Sequence, residues 1–469
     1  MSCKCQPIYC IICGLTLPQR YLMMFFCGIA MVVCCGQRDM FILEKSLWLV
    51  YNKQNYSYFT STLPYHIKHE TKYWSNYYIL GIYPLAHYIA QIPAGILIDR
   101  YGAKWFLIGG IAFASCLTIY TPFVLGKCQW MLIMIRICLG ICHSVLYPGL
   151  AYIVAQWVPY TERVTRGALV FAQYPTAATM AQITEIIYSF YWKAYFFTSG
   201  TVGFVWCVVG YMFLYDNPGS DPLICDKERD MLNELMIPKT LKYLSVRSGF
   251  LRGKSFWALV FGQIGHTYTL LLLMGGMWTY FREIFGDTLT NIIITQIVGL
   301  KLLTISTMIA GSATQYLILK KHVNIRPCRI IVTSLSFLTC NVLLILSACA
   351  SDYAVLFYIL YGSSIFFKGL HYAGFSVNYM DVTVNFCGTI TAVTNFSDDT
   401  ICTTVVVLFH LLVPYSYNIK FLLEAWIALG LSLGSSIVFL MFADSRRAKW
   451  DKSEDELMDT PRGSLYSEI

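Results

Sequence analysis

Charge is what this chain lacks. Only 13% of its 469 residues are Asp, Glu, Lys or Arg and 57% are hydrophobic, whereas a water-soluble domain carries roughly 25% charged residues. A chain this long and this poor in charge cannot cover a globular surface with polar groups, so much of its surface faces lipid. No small-residue cleavage site follows the first long apolar stretch, so no cleavable signal peptide is expected. No G-x-x-x-x-G-K-[ST] loop is present, which argues against a pump driven directly by nucleotide hydrolysis. No metal or nucleophile constellation stands out either, so neither an enzyme nor a bound cofactor is expected. The formal net charge is +8, but the basic residues form no stripe of the kind a nucleic-acid binder shows, and nucleic acid is not an expected partner.

Apolar runs, by contrast, are abundant. Stretches of about 20 residues, the length that crosses a bilayer as helix, lie near 21–43, 76–98, 105–126, 129–156, 167–190 and 194–215. They resume near 256–281, 290–318, 328–350, 353–376, 385–413 and 421–443. The expected fold is an all-α membrane protein of about twelve transmembrane helices in two six-helix bundles, 21–215 and 256–443. A tail at 1–20, a loop at 216–255 and a tail at 444–469 complete the division, all expected in the cytosol. With both termini inside, the inner segments hold 22 Lys and Arg and the outer ones 7, a strong positive-inside bias. Asn55-Tyr56-Ser57, a glycosylation acceptor, then falls in the first outer loop. Most of the 18 cysteines lie within apolar runs, as Cys138 and Cys142 do, and behave there as small hydrophobes. Cys3, Cys5, Cys10 and Cys13 cluster in the first tail, where reversible palmitoylation suits them better than zinc.

Between the second and third runs stands Gly95-Ile96-Leu97-Ile98-Asp99-Arg100-Tyr101-Gly102-Ala103-Lys104. Its glycines permit a tight turn and close helix contact, and Asp99 is placed to accept from a neighbouring helix end or to pair with a cation. Arg100 and Lys104 anchor the loop inside. This run resembles the loop signature of the major facilitator superfamily, G-x-L-x-D-R-x-G-x-K. The corresponding stretch from Gly311 to Lys321 has no acidic residue, which puts its clasp in doubt. Further along, Arg136-x-x-x-Gly140, Tyr147-Pro148 and Trp157-x-Pro159-x-x-Glu162-Arg163 resemble the anion–cation symporter family within that superfamily: sialin, the vesicular glutamate transporters and the sodium–phosphate cotransporters. Gln91-Ile92-Pro93-Ala94-Gly95, Tyr280-Phe281-x-Glu283-x-Phe285-Gly286 and Gly374-Phe375-x-Val377-Asn378-x-x-Asp381, followed by Asn395, are similar to the same family in order and spacing.

The resemblance implies secondary transport of a small organic or inorganic anion, coupled to sodium or protons, in the plasma membrane or an endolysosomal or vesicle membrane. It implies that Arg38 receives the anion with Arg136 nearby, that His266 takes the place of a second substrate arginine, and that Asp99, Arg100, Glu162 and Arg163 serve coupling or gating. Read from the residues alone, Arg38 pairs equally well with Asp39 or Glu44, and Arg136 with a structural partner in the first bundle. A guanidinium suits a carboxylate or phosphate through its planar, permanently charged donor pair. His143 stands where the family carries a proton-coupling glutamate; an imidazole can load a proton near neutral pH, or sit neutral and satisfied. The family's second-helix histidine aligns with Gly81. Glu185, Lys301, Lys368 and the adjacent Asp398 and Asp399 add intramembrane charge. The two carboxylates need a cation such as Lys301 or Lys368, or water, or protonation, and would then belong to the coupling set. Tyr466 to Ile469 reads as a sorting or tail-binding signal. The competing reading is a transport-silent receptor or scaffold acting through its tails, favoured by His143 and by the altered second loop.

Overall fold

The computed structural model describes residues 18–54, 77–124, 128–160, 162–173, 192–237, 239, 249–273, 280–281, 284–286, 289–413 and 417–452. Every regular element among them is helical. In chain order these are α1 (Gln19–Gln54), α2 (Tyr77–Tyr101), α3 (Lys104–Val124), α4 (Gln129–His143), α5 (Leu146–Trp157), α6 (Ala168–Phe171) and α7 (Trp192–Phe213). There follow α8 (Asp226–Leu235), α9 (Lys254–Leu271), α10 (Leu289–Lys321), α11 (Ile325–Cys349), α12 (Ala354–Lys368), α13 (Leu370–Gly374), α14 (Asn378–Val382), α15 (Cys387–Leu412) and α16 (Tyr417–Phe442).

Nine helical stretches among the described residues are long and apolar enough to cross a membrane, where the sequence predicts about twelve. The fifth, seventh and eleventh predicted spans account for the difference. Most of the fifth predicted span, and the far end of the seventh, lie outside the described residues. The eleventh is present as α15, 26 residues long, but Asn395, Asp398 and a run of threonines lower its hydropathy. Asp398 and Asn395 are buried, so α15 turns its polar side towards protein rather than lipid. The fourth predicted span is divided at Ser144 and Val145 into α4 and α5, and the tenth into α12, α13 and α14.

The helices gather into two groups. In the first, α3 packs on α4 and α7, α2 on α4, and α1 on α7; in the second, α9 packs on α15 and α16, α11 on α12 and α16, and α10 on α12. Lipid supplies no hydrophobic contrast to drive such packing, so small residues and buried polar pairs hold it. Asn341 on α11 illustrates this: its Nδ2 donates to Ser432 Oγ at 3.0 Å, and its Oδ1 accepts from Thr269 Oγ1 at 3.3 Å, joining α11, α16 and α9.

The groups meet where α15 lies against α2 and α5, and where α10 lies against the π-helical turn at Arg163–Gly167. Gly95 on α2 and Gly388 on α15 make this approach close. A Cβ on Gly95 would come within 2.7 Å of both Ala392 Cβ and the Gly388 carbonyl oxygen. Gly102, just beyond α2, has φ +94 and turns the chain into α3, a conformation that favours glycine. Gly95→Val is therefore expected to push α2 from α15 at a cost of about 1–3 kcal/mol. A fall of several degrees in the unfolding temperature of detergent-solubilised protein is the expected readout; an unchanged temperature would contradict the close contact.

Candidate functional site

At the end of the molecule that carries Asp99, polar groups close the junction between the two helix groups. The first backbone N–H groups of a helix have no partner inside it. On α15 two of them find Asp99: Gly388 N donates to Oδ1 at 3.0 Å and Thr389 N to Oδ2 at 2.6 Å, with Thr389 Oγ1 also donating to Oδ2 at 2.6 Å. A carboxylate at a helix N-terminus meets the positive end of its dipole. Lys239 from the connecting segment donates to the Asp99 carbonyl oxygen. Burial lowers the Lys239 pKa from its ordinary value, against the opposing pull of the Asp99 carboxylate.

A second clasp lies beside it. Asp381 on α14 accepts from Arg329 Nη2 at 2.8 Å and Nε at 3.1 Å, and from Arg163 Nη1 at 3.4 Å. Arg163 also donates from Nη1 to the Met380 carbonyl at 2.7 Å, so the first group reaches the second through one guanidinium. Glu162, its neighbour in the motif, points elsewhere and accepts from Arg20 Nε at 3.1 Å within the first group. Arg100 is exposed, with its guanidinium 4.9 Å from the Tyr101 ring centre. A third contact occupies the altered second-half loop. Gln315 stands four residues after Gly311, as Asp99 stands four after Gly95, and its Oε1 accepts from Thr165 Oγ1. That clasp exists without the acidic residue, as a neutral hydrogen bond.

Deeper in the first group, Arg136 and His143 both lie against Tyr83. Tyr83 OH lies 2.9 Å from His143 Nδ1, and His143 Nε2 lies 3.1 Å from Gln37 Oε1. Gln37 Nε2 donates to Ser115 Oγ at 3.0 Å, which leaves its Oε1 as an acceptor. His143 must then carry its proton on Nε2 and accept from Tyr83 on Nδ1, so both ring nitrogens are satisfied in the neutral form. His87 follows the same logic: Nδ1 donates to the Gly140 carbonyl at 3.4 Å and Nε2 accepts from Gln91 at 3.2 Å. The Arg136 guanidinium is buried 4.7 Å from the Tyr83 ring centre. Arg38 is partly exposed and lies near enough to act electrostatically on Tyr83, His87 and His143. The side chains of Asp39 and Glu44 lie outside the described residues, as do Glu185, Asn55, the tail cysteines and Tyr466 to Ile469.

Across the junction, Asp399 is half-buried on α15. The sequence offers Lys301 or Lys368 as the balancing cation, and the structure corrects this. Lys301 is exposed on α10. Lys368 is wholly buried and donates to the His266 carbonyl oxygen at 3.0 Å. Asp398 accepts from Thr267 Oγ1. The His266 ring stacks on His371 with centroids 3.8 Å apart, and Tyr372 lies edge-on to it at 5.2 Å. His266 therefore belongs to a buried aromatic and cationic cluster of the second group.

Several of these groups escape sequence reasoning. His87, Gln37 and Tyr83 are ordinary residues of apolar helices until His143 is placed beside them. Arg329 appears only as a loop cation, and His371 follows Lys368 by three residues, one helical turn, which is the single local signal it offers.

The Major Facilitator Superfamily profile matches residues 52–399. The "Putative inorganic phosphate cotransporter" of Drosophila ananassae is 27% identical over 329 residues, 68% of each chain. Vesicular glutamate transporter 2 of Homo sapiens is 24% identical over 327 residues, 68% of this chain and 56% of that one. A chloroplastic ascorbate transporter of Arabidopsis thaliana is 24% identical over 276 residues, 58% of this chain and 48% of that one. The chain thus spans only about half of the last two relatives. Among solved structures, the proton:xylose symporter XylE bound to 6-bromo-6-deoxy-D-glucose superposes with a TM-score of 0.65 at 10% identity, covering 92% of this chain and 98% of that one.

The Asp381 clasp makes a prediction of its own. Arg329→Met strips the carboxylate of its shorter contacts and leaves a buried charge poorly paired, a loss of about 3–5 kcal/mol. Arg163→Met spares the Arg329 pair and is expected to cost less. Thermal unfolding of the two variants in detergent checks the order, and the reverse order would refute the assignment of Arg329 as the main partner.

Proposed function

The chain belongs to the Major Facilitator Superfamily, a family of multi-pass membrane proteins rather than enzymes, and from that premise we propose that it is a secondary active transporter of a small anion. The observation that carries the anion is the convergence of Arg38, Arg136 and a neutral, hydrogen-bonded His143 in the first helix group. An anion seated between these cations gains a planar donor pair whose charge never titrates away. The names of the relatives, phosphate, glutamate and ascorbate transporters, point to the same class of cargo.

Alternating access supplies the mechanism. The two groups, 21–215 and 256–443 joined through 216–255, rock about the central cations. The closed seal at Asp99, Asp381 and Gln315 is one end of that motion. Both termini are cytosolic by the distribution of Lys and Arg, so the seal shuts the cytosolic side. An arriving anion competes with Asp399 for the field of Arg38. Neutralising Asp399 with a proton or a sodium ion would ease that competition, which gives Asp398 and Asp399 a coupling role. His143, held neutral, is free to take a proton only if Tyr83 turns from donor to acceptor. His266, stacked in the second group, supports the cavity wall. The membrane is the plasma membrane or that of a vesicle or endolysosome. A transport-silent receptor loses one of its two supports, because Gln315 engages Thr165 where the loop motif is altered.

Uptake of labelled phosphate, glutamate and sialic acid into proteoliposomes under imposed sodium and proton gradients tests the proposal. Arg38→Ala is expected to lower uptake at least about thirtyfold, the scale of losing a desolvated charge contact of about 2 kcal/mol, with insertion of the protein unchanged. Undiminished uptake in that variant would remove Arg38 from the site.

A further inference from the structure

The described chain continues past α16. Residues 443–452 turn back beneath the second helix group and close with the 3-10 turn Lys449–Asp451. Asp451 is completely buried. Its Oδ1 accepts from Thr383 Oγ1 at 2.5 Å and from Asn385 N at 3.1 Å, and its Oδ2 accepts from Val384 N at 3.1 Å and Arg447 Nε at 2.6 Å. Its backbone carbonyl accepts from Asn385 Nδ2 and Arg447 Nη2. Ala448 N donates to the Val382 carbonyl at 2.9 Å. One carboxylate thus holds three consecutive residues of the loop 382–386.

That loop is short and its two flanks are the two strongest clasps of the seal. Asp381, with Arg329 and Arg163, stands immediately before it; Gly388 and Thr389, whose N–H groups hold Asp99, stand immediately after. Thr383 relays the hold to the helix: while donating to Asp451, its hydroxyl accepts from Phe386 N at 3.0 Å, at the N-cap of α15. Trp450 extends the contact to the entry of α9, within the same helix group. Its ring meets Phe250 edge-on at 6.2 Å and its Nε1 would lie 3.0 Å from a Cβ on Gly253, at the entry to α9.

We propose that Asp451 is a positioning residue for the inter-group seal: the returning segment 443–452 fixes the loop 382–386 so that Asp381 and the first turn of α15 are already aligned for Arg163 and Asp99. Without that hold, a loop whose backbone N–H groups at Val384 and Asn385 lose their acceptor must find others, and both clasps lose their register together. The hydrogen bonds described for the segment run to the loop after α14, in the second helix group, so it moves with that group when the groups part and presents the same loop when they meet again. Calling the seal a gate rests on the alternating-access proposal above, but the test below needs neither substrate nor gradient.

Cys387 provides the readout. It is wholly buried at the first turn of α15, with Sγ 3.6 Å from the Ala151 carbonyl oxygen of the first group, so a maleimide reaches it only when the groups part. Cys340 is equally buried but sits inside the second group beside Ser364, and reports loss of fold instead. Purified full-length protein is pulsed with N-ethylmaleimide and both cysteines are read by mass spectrometry. Asp451→Asn is expected to raise the alkylation rate of Cys387 by about tenfold, the scale of a lost charge-assisted hydrogen bond, with Cys340 unchanged. Adding Asp99→Asn to it is expected to give little more than either alone. Ending the chain after Phe442 should act as Asp451→Asn does, whereas ending it after Lys452, or Lys449→Ala on the exposed side, should leave the rate at the parent value. If Asp451→Asn does not fold, Arg447→Gln carries the same test with a smaller rise. Parent-like labelling of Cys387 in the folded variants overturns the proposal, and so does a parallel rise at Cys340, which would make the segment a general fold element.

Discussion

Two N–H groups at the start of α15 have no partner within their own helix, and the carboxylate that satisfies them comes from the other half of the molecule. The arrangement of the junction follows from that one shortage. Asp99 can reach Gly388 and Thr389 only because Gly95 and Gly388 let the helix backbones approach. The approach in turn brings α5 against α15 and sets Ala151 over Cys387. An unsatisfied helix end would otherwise be paired by water, so the same groups are served whether the halves are together or apart. The contact is strong enough to close the junction and is replaceable on opening.

Elsewhere three buried ionisable groups are held by short-range partners. Lys368 sits on a backbone carbonyl, Asp398 on a threonine, and Asp381 between two guanidinium groups. His143 is the informative case. Gln37 and Tyr83 fix its tautomer and complete its hydrogen bonding without charge. A glutamate in that place would oppose Arg136 and Arg38 with a negative charge; a neutral imidazole leaves their field undiminished.

How much of this could be read from the sequence depends on the range of the interactions. The spans were legible because bilayer thickness imposes a length on each run, and the Asp99 loop because its turn, acid and basic anchors lie within ten consecutive residues. Arg38, Arg136 and His143 were legible as ionisable groups in apolar surroundings. Their neighbours were not: His143 touches a glutamine 106 residues earlier, and Arg329 an aspartate 52 residues later, pairings without any local trace. Lys301 looked like Lys368 on paper, since hydropathy does not say which face of a helix a lysine occupies. The weak apolar character of α15 comes from polar groups facing protein. The stretch from Gly311 to Lys321 has no acid to match the loop motif, yet the amide oxygen of Gln315 accepts from Thr165 there.

The closest approach of α2 to α15 is made by Gly95, Gly388 and Ala392. None of these residues has a rotatable side chain, so bringing the surfaces together freezes no rotamers and separating them releases none. Conformational entropy, which weighs against most protein contacts, is nearly silent here. At this patch the two halves meet as smooth faces that need no side-chain rearrangement to fit, and the ordering of side chains is left to the clasps at its end.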